Sequence, residues 1–223
     1  MGTPGRVATI LLLTAGPGAA VWSGDTGTIR GRVTLAALPR AGDRPAVADL
    51  SGHRPAASAE RARAVVYLDP APRQAFDELP AGRARMDQRG EQFVPRVLAV
   101  TAGTIVDFPN SDVTFHNVFS LSAARTFDLG RYRPGRTGSV TFERAGIVTV
   151  FCDIHAHMSA FILVFNHPFF AVTDADGRYN IPRAPAGTHT LMVWSEIGRT
   201  APRRITLAEG ETIEADFRVA RAP

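Results

Sequence analysis

Residues 147–165 read IVTVFCDIHAHMSAFILVF, and this stretch decides how the middle of the chain folds. Its two ends, IVTVF and SAFILVF, are short, apolar and rich in β-branched and aromatic residues, which is typical of buried strands. The polar and sulfur-bearing side chains between them share a short loop. The pattern therefore predicts two strands, Ile147–Cys152 and Ala160–Phe165, joined by that loop.

Three metal-binding side chains lie close together in this loop. Cys152, His155 and Met158 form the pattern Cys-x2-His-x2-Met, which puts a thiol, an imidazole and a thioether within seven residues. The fourth donor must come from elsewhere, and His116, in the segment VTFHNVF, is the obvious candidate. Two imidazoles and one thiolate with a weak axial methionine form the ligand set of copper sites that transfer electrons. We therefore predict that these four residues hold one copper ion, which cycles between Cu(I) and Cu(II).

Each of these residues also has an ordinary structural role open to it. Cys152 can be a small buried apolar residue, His116 a hydrogen-bonded core histidine, and Met158 a packing residue. His157 offers a second register, Cys-x4-His, but Met158 would then be poorly placed directly beside the ligand. We therefore expect His157 to be an exposed loop residue. Zinc is disfavoured because a thioether is a poor zinc donor and zinc usually takes four strong donors.

Short apolar segments separated by turn residues continue through the rest of the chain. Turn residues recur about every 8–12 residues, as in β-sandwiches and barrels. Residues 36–63 are expected to form a long surface loop, and a helical turn is expected near residues 74–78. We predict an all-β fold with further strands at Thr28–Leu35, Ala64–Leu68, Arg96–Val100, Thr104–Phe108, Val113–Phe119, Gly138–Phe142, Phe170–Thr173, Arg178–Ile181, Thr188–Ser195, Arg203–Leu207 and Thr212–Val219.

The middle of the chain resembles the cupredoxin family. FPNSDVTFHNV, at residues 108–118, is similar to the family's strand that carries a histidine ligand, and the Cys-x2-His-x2-Met loop has amicyanin-type spacing. The resemblance covers about residues 92–166 and implies a Greek-key sandwich in which the four residues above are the copper ligands. It also implies that the side chain of Asn117 ties the His116 segment to the cysteine loop.

Apolar side chains cluster around the four donors in the sequence. We expect them to surround the site, exclude water and raise the reduction potential by disfavouring Cu(II). They are Phe115, Phe119, Phe151, Ile154 and Phe161.

The flanks of this unit resemble a second family. AVTDADGRYNIPRAPAGTHTLMVWSEIG, at residues 171–198, is similar to the carboxypeptidase regulatory-like domain, a seven-stranded sandwich of transthyretin-like shape. The C-terminal part supplies too few strands, and GRVTL (31–35) and AVVYLD (64–69) look like the first two. We therefore predict a discontinuous regulatory-like sandwich over residues 25–70 and 168–223, with a cupredoxin-like domain inserted at 71–167. Resemblance to this architecture implies a methylamine-utilisation-type protein.

The first 24 residues have the three-part pattern of an export signal. Arg6 gives a positive start, VATILLLTA (7–15) forms a short apolar core, and small residues follow. The apolar run is too short to cross a bilayer, which needs about 20 residues. We predict cleavage between Ala20 and Asp25 and a mature chain that is periplasmic or secreted, with no membrane span.

Composition narrows the function classes further. All 25 basic residues are arginine, against 21 acidic residues, and no run of five or more basic residues occurs. We therefore predict no nucleic-acid partner. The single cysteine excludes an intramolecular disulfide and a cluster held by four thiolates. No Ser-His-Asp pattern, phosphate loop or His-Glu-x2-His motif is evident, so we predict that the chain is not an enzyme.

These observations leave three functional hypotheses from different classes. The first is an exported carrier of single electrons, whose partner is a redox protein such as a cytochrome, a dehydrogenase or an oxidase. The second is a copper-binding or copper-delivery protein without redox cycling. The third is a β-sandwich binding module in which any metal is incidental.

Overall fold

Every regular element in the part of the chain that the computed structural model describes, residues 25–36, 63–72 and 82–220, is a β-strand. The predicted all-β fold is therefore confirmed. Across those residues there is no helix of the length and apolar character that crossing a membrane requires. The strands are β1 (Thr26–Leu35), β2 (Ala64–Leu68), β3 (Arg83–Arg85), β4 (Asp87–Gln88), β5 (Phe93–Val94), β6 (Val97–Thr101), β7 (Thr104–Pro109), β8 (His116–Ser122), β9 (Arg125–Tyr132), β10 (Thr137–Phe142), β11 (Gly146–Phe151), β12 (Ser159–Phe165), β13 (Phe170–Val172), β14 (Arg178–Pro185), β15 (Gly187–Ser195), β16 (Gly198–Arg199), β17 (Arg203–Leu207), β18 (Thr212–Glu214) and β19 (Phe217–Val219).

The first two strands pair with strands from the far end of the sequence. β1 lies between β14 and β18 in one sheet and also pairs in parallel with β19. β2 lies between β13 and β15 in a second sheet, which β16 and β17 extend. The inward-facing side chains of both sheets share one core, as expected for sheets with one buried face. Its largest fully buried side chains are Ile29, Leu68, Ile181, Leu191 and Leu207.

The strands from β3 to β12 form separate sheets that carry the predicted metal ligands. One sheet has the strand order β6-β12-β11-β8-β9, another has the order β10-β7-β3, and β4 pairs with β5 in a short hairpin. The two larger sheets share a core that contains Phe108, Phe142, Val150 and Ile162. Because β8 runs antiparallel to β11, the end of β11 and the start of β8 lie at the same end of their sheet.

A third apolar cluster joins the two groups of sheets. It contains Val65 and Trp194 from one group and Val97 and Leu163 from the other. The rings of Trp194 and Phe161 meet edge to face, with centroids 5.1 Å apart. The groups of sheets are therefore packed on each other through side chains that lie away from water.

A polar contact crosses the same boundary. The guanidinium of Arg96, just before β6, donates from Nε and Nη2 to the carboxylate of Glu196, just after β15. The two side chains are only 13% and 16% exposed. This ion pair therefore lies in a largely desolvated position between the two groups of sheets.

Some strands differ from the prediction. β8 begins at His116, not Val113, because the side chain of Val113 is 95% exposed and the backbone before His116 bends. β9 was not predicted. It is an edge strand whose inward side chains, Phe127 and Leu129 among them, are only half-buried against the core and alternate with exposed residues. β14 continues past Ile181 to Pro185.

Other predictions fall outside the described residues. These are the export signal at 1–24, nearly all of the loop at 36–63, and the helical turn near 74–78. The domain boundaries near residues 70 and 168 stay predictions.

Candidate metal centre

The cysteine loop is closed by its own backbone. The Cys152 N–H donates to the Met158 carbonyl over 3.3 Å, and the Met158 N–H donates to the His155 carbonyl over 2.9 Å. β11 and β12 continue the pairing directly before and after the loop, with Phe151 opposite Ser159. The backbone of residues 152–158 is therefore anchored at both ends by an antiparallel pair.

The structure brings three of the predicted donors together. His116 Nδ1 lies 3.1 Å from His155 Nδ1, and Cys152 Sγ lies 4.0 Å and 3.9 Å from these two nitrogens. Their donor atoms all lie within 4.8 Å of one another. His116 and Cys152 are buried, and the side chain of His155 is 17% exposed. Solvent can therefore reach the three-donor cluster only partly, on the side formed by His155.

The separations of these donors suit one ion bound to all three. With metal bonds of about 2.05 Å to imidazole nitrogen and about 2.3 Å to thiolate sulfur, as zinc has, two donors of one ion lie at most about 4.1 Å apart for two nitrogens and about 4.4 Å for nitrogen and sulfur. The observed separations of 3.1, 3.9 and 4.0 Å fall within these limits. Two imidazoles and one thiolate are the donor set that copper electron-transfer sites use.

Met158 lies in the same buried cluster as Cys152. Its side chain is 1% exposed and packs in the core that the two larger sheets share. This position agrees equally with an axial thioether and with plain packing. Axial ligation by Met158 therefore stays a prediction.

A carboxylate holds the outer nitrogen of His116. His116 Nε2 lies 2.9 Å from Asp112 Oδ2, and a hydrogen bond to the carboxylate puts a proton on Nε2; in the neutral ring with this tautomer the lone pair is on Nδ1, which lies next to the other donors. Burial alone would raise the pKa of Asp112. Hydrogen bonds from the Glu91 N–H, from His116 and from the Gly90 N–H outweigh burial and lower that pKa. Asp112 is therefore held as an anion behind the ligand.

A second carboxylate lies beside the loop histidines. Glu91 Oε1 is 3.8 Å from His155 Nε2, and Glu91 Oε2 is 3.5 Å from His157 Nε2. Burial lowers the pKa of His155, although the charge of Glu91 acts in the opposite direction. His155 is therefore biased toward the neutral form that can bind a metal. The side chain of His157 is 51% exposed, and His157 is not part of the three-donor cluster.

The side chain of Asn117 bonds to the neighbouring strand. Its Nδ2 donates to Asp128 Oδ1 on β9 over 2.7 Å, and its Oδ1 has no hydrogen-bond partner. The side chain therefore ties β8 to β9. The expected tie between Asn117 and the cysteine loop stays a prediction.

The predicted apolar shell is open at its outer edge. Phe115, Phe151 and Ile154 are 53%, 37% and 39% exposed. They form part of the surface at this end of the sheet and do not seal the site. The water exclusion that we expected of them comes instead from the buried core around Cys152 and Met158.

Sequence reasoning missed Glu91 and the role of Asp112. Asp112 was visible only as a residue near His116, and its contact follows from the bend at residues 112–114. Glu91 is far from every ligand in the sequence and belongs to no recognisable motif. Only the fold brings it to the histidines.

Comparison with solved structures finds copper proteins of low sequence identity. No protein-family model matches the sequence, and no curated protein matches it. A purple cupredoxin from Nitrosopumilus maritimus is 20% identical, covers 36% of this chain and 98% of its own, and has a TM-score of 0.34. A reduced Cu(I) amicyanin variant is 20% identical, with 44% and 97% coverage and a TM-score of 0.35.

A copper-containing nitrite reductase from Thermus scotoductus SA-01 is 22% identical and covers 60% of this chain and 28% of its own, with a TM-score of 0.35. All three scores lie below 0.5, so these likenesses carry no weight for function. The donor geometry of this chain itself carries the case for a metal.

Proposed function

We propose that this chain is an exported protein that holds one copper ion and carries single electrons. His116, Cys152 and His155 would hold the ion, and Met158 would add its thioether as a weak fourth ligand. The observation that carries this proposal is the close approach of two imidazole nitrogens and one thiol sulfur, with separations that suit one ion bound to all three. Bound copper would supply a one-electron couple.

The chain's own contribution would be to keep these donors in place. The loop is fixed between β11 and β12, and His116 is fixed at the start of β8 with its outer nitrogen on Asp112. Because neither imidazole needs to turn to reach the site, gain or loss of an electron would require little rearrangement. Burial of Cys152 protects the thiol from solvent.

The surface around His155 suits a protein partner. Val113, Phe115 and Ile154 are exposed apolar side chains in the two loops that carry or precede the ligands. Exposed apolar side chains rimmed by polar residues are typical of sites for protein contacts. We therefore infer that a redox partner, such as a cytochrome, a dehydrogenase or an oxidase, docks at this end. The chain itself would not act as an enzyme.

Copper delivery is a second candidate, and one observation favours it. His157 and Glu91 lie together at the accessible side of His155, where they could pass an ion in or out. A delivery protein would bind Cu(I) without colour and release it to an acceptor protein. A carrier would keep its ion and cycle.

The remaining parts of the proposal rest on the sequence. The strand pairing of β1 and β2 with strands after residue 168 supports a regulatory-like sandwich interrupted by the metal-binding unit, as in a methylamine-utilisation-type protein. The pattern of residues 1–24 supports export and a periplasmic or secreted location.

Optical and EPR spectra recorded after adding Cu(II) to the purified protein test the proposed function. We expect an intense visible band from thiolate-to-copper charge transfer. Cys152→Ala should abolish this band while the fold, measured by circular dichroism, stays intact. His157→Ala is the matched control and should keep the band. A band that persists in Cys152→Ala, or no band in the wild type, would refute the proposed function.

A further inference from the structure

The turn between β4 and β5 lies directly against the histidine pair. Gly90 and Glu91 both have left-handed backbone angles, with φ of 61° and 54°. Such angles are uncommon for a residue with a side chain and cost energy unless the surroundings impose them. Here the surroundings do so, because the Glu91 N–H donates to Asp112 Oδ2 over 2.7 Å. The backbone strain at Glu91 therefore points to a role for this turn.

The hairpin is also fixed to the segment that leads into His116. The Ser111 N–H donates to the Gln88 carbonyl over 3.0 Å, and Gln88 forms a bridge with Asn110. The Asp112 carboxylate accepts from Glu91 on one side and from His116 Nε2 on the other, through the same Oδ2 atom. A continuous set of contacts thus runs from the turn to the first imidazole.

The side chain of Glu91 reaches the second imidazole. Its carboxylate lies 3.8 Å from His155 Nε2 and 3.5 Å from His157 Nε2, and it is 24% exposed. Each imidazole of the three-donor cluster therefore has a carboxylate near its outer nitrogen: Asp112 at hydrogen-bond distance from His116, and Glu91 at ion-pair distance from His155. Glu91 connects the two, because its backbone N–H donates to the Asp112 carboxylate.

We propose that Glu91 is a positioning residue that favours the metal-binding orientation of both imidazoles, His155 through the charge of its carboxylate and His116 through the backbone N–H that holds the Asp112 carboxylate. This inference rests on the proposed copper site. A carboxylate behind a metal-binding imidazole fixes its tautomer and orientation and makes it a stronger donor. Two anions near the ion also favour its more highly charged state, so the pair should stabilise Cu(II) more than Cu(I).

Three variants separate the contributions of the Glu91 charge, the Glu91 side chain and the Asp112 carboxylate. Glu91→Gln removes the charge but keeps the backbone donor. Glu91→Gly removes the side chain while accepting the left-handed backbone. Asp112→Asn removes the anion on His116. Asp128→Asn is the matched control, because it removes one carboxylate that bonds to Asn117 and touches neither imidazole.

Cu(I) and Cu(II) affinities of the full chain, measured by competition with chromophoric chelators, provide the main readout. We expect Glu91→Gln, Glu91→Gly and Asp112→Asn to weaken Cu(II) binding by about 10–100-fold, and Cu(I) binding less. A tenfold difference between the two losses would raise the reduction potential by about 59 mV. Asp128→Asn should stay within about twofold of wild type, since its carboxylate lies outside these contacts.

A second readout uses the protein without metal. The His116 Nε2 proton, seen by NMR, should exchange slowly in the wild type and in Asp128→Asn, and rapidly in Asp112→Asn. Wild-type affinities in both Glu91 variants would overturn the inference for His155, and wild-type affinities in Asp112→Asn would overturn it for His116; either result would leave the copper site itself intact. A wild-type protein that binds no copper would instead overturn the proposed function, with the NMR result still reporting on the Asp112 contact.

Discussion

Replacing Arg96 should destabilise the protein more than any exposed charge change. Its guanidinium makes two hydrogen bonds to Glu196, at 2.6 Å and 3.0 Å, and donates to the Ser159 carbonyl at 2.6 Å. It also lies over the ring of Phe161, 5.9 Å from the centroid. Because the pair is only 13% and 16% exposed, Arg96→Met would leave the Glu196 carboxylate nearly buried without a cation. Removal of one partner of such a pair costs about 3–5 kcal/mol.

Urea unfolding monitored by circular dichroism measures this loss. The double variant Arg96→Met/Glu196→Met should recover most of the stability, because no buried charge then remains unpaired. Arg30→Met is the matched control: its ion pair with Glu214 has side chains 58% and 72% exposed, so its loss should cost only about 0–1 kcal/mol. A loss below about 1 kcal/mol for Arg96→Met would refute the idea that this ion pair joins the two groups of sheets.

Three further changes test other parts of the structure. Met158→Leu should keep copper bound and raise the reduction potential in voltammetry, since the axial sulfur is lost; an unchanged potential would argue against axial ligation. Burial lowers the pKa of His167 in the folded protein, so on acidification the unfolded chain binds this proton at a higher pH than the folded protein does. The free energy of unfolding should therefore decrease as the pH falls below about 6.5, and stop decreasing below the pKa of His167 in the folded protein. His167→Asn, which keeps an acceptor for the Phe169 N–H, should flatten that part of the stability curve; an unaltered curve would assign it to other groups. Gly31→Ala should cost about 1–3 kcal/mol in urea unfolding, because a Cβ there would meet the Ala215 carbonyl oxygen; wild-type stability would contradict this contact.

The elements that sequence reasoning found share a strong local signal. β11 and β12 are short apolar runs, and the ligand loop between them brings unusual side chains together at fixed spacing. His116 could be found because the chemistry of the loop left one strong donor missing. These features depend on neighbours in the chain or on ligand chemistry, so they can be predicted without knowing the tertiary contacts.

The elements that sequence reasoning missed depend on tertiary contacts. β9 lies on a sheet edge, and its apolar face is short: Phe127 and Leu129 are half-buried on the core, with exposed residues between and around them. The partner of Asn117 and the placement of Glu91 both follow from strand pairings that no local pattern specifies. Phe115 was expected to be inside as part of an apolar shell around the site, yet it is 53% exposed between a bend and the start of β8. Residue type alone does not distinguish a core aromatic from a surface one.

The parallel pairing of β1 with β18 delays the assembly of their sheet until the C-terminal strands have been synthesised. Arg30 meets Glu214, 184 positions later. During synthesis β1 emerges before the other described strands, and its neighbours β18 and β19 emerge after them, so that sheet stays open while β3–β12 already have their strand partners. Nascent chains halted before residue 212 would therefore leave β1 without its parallel neighbours, even where the central strands had already assembled.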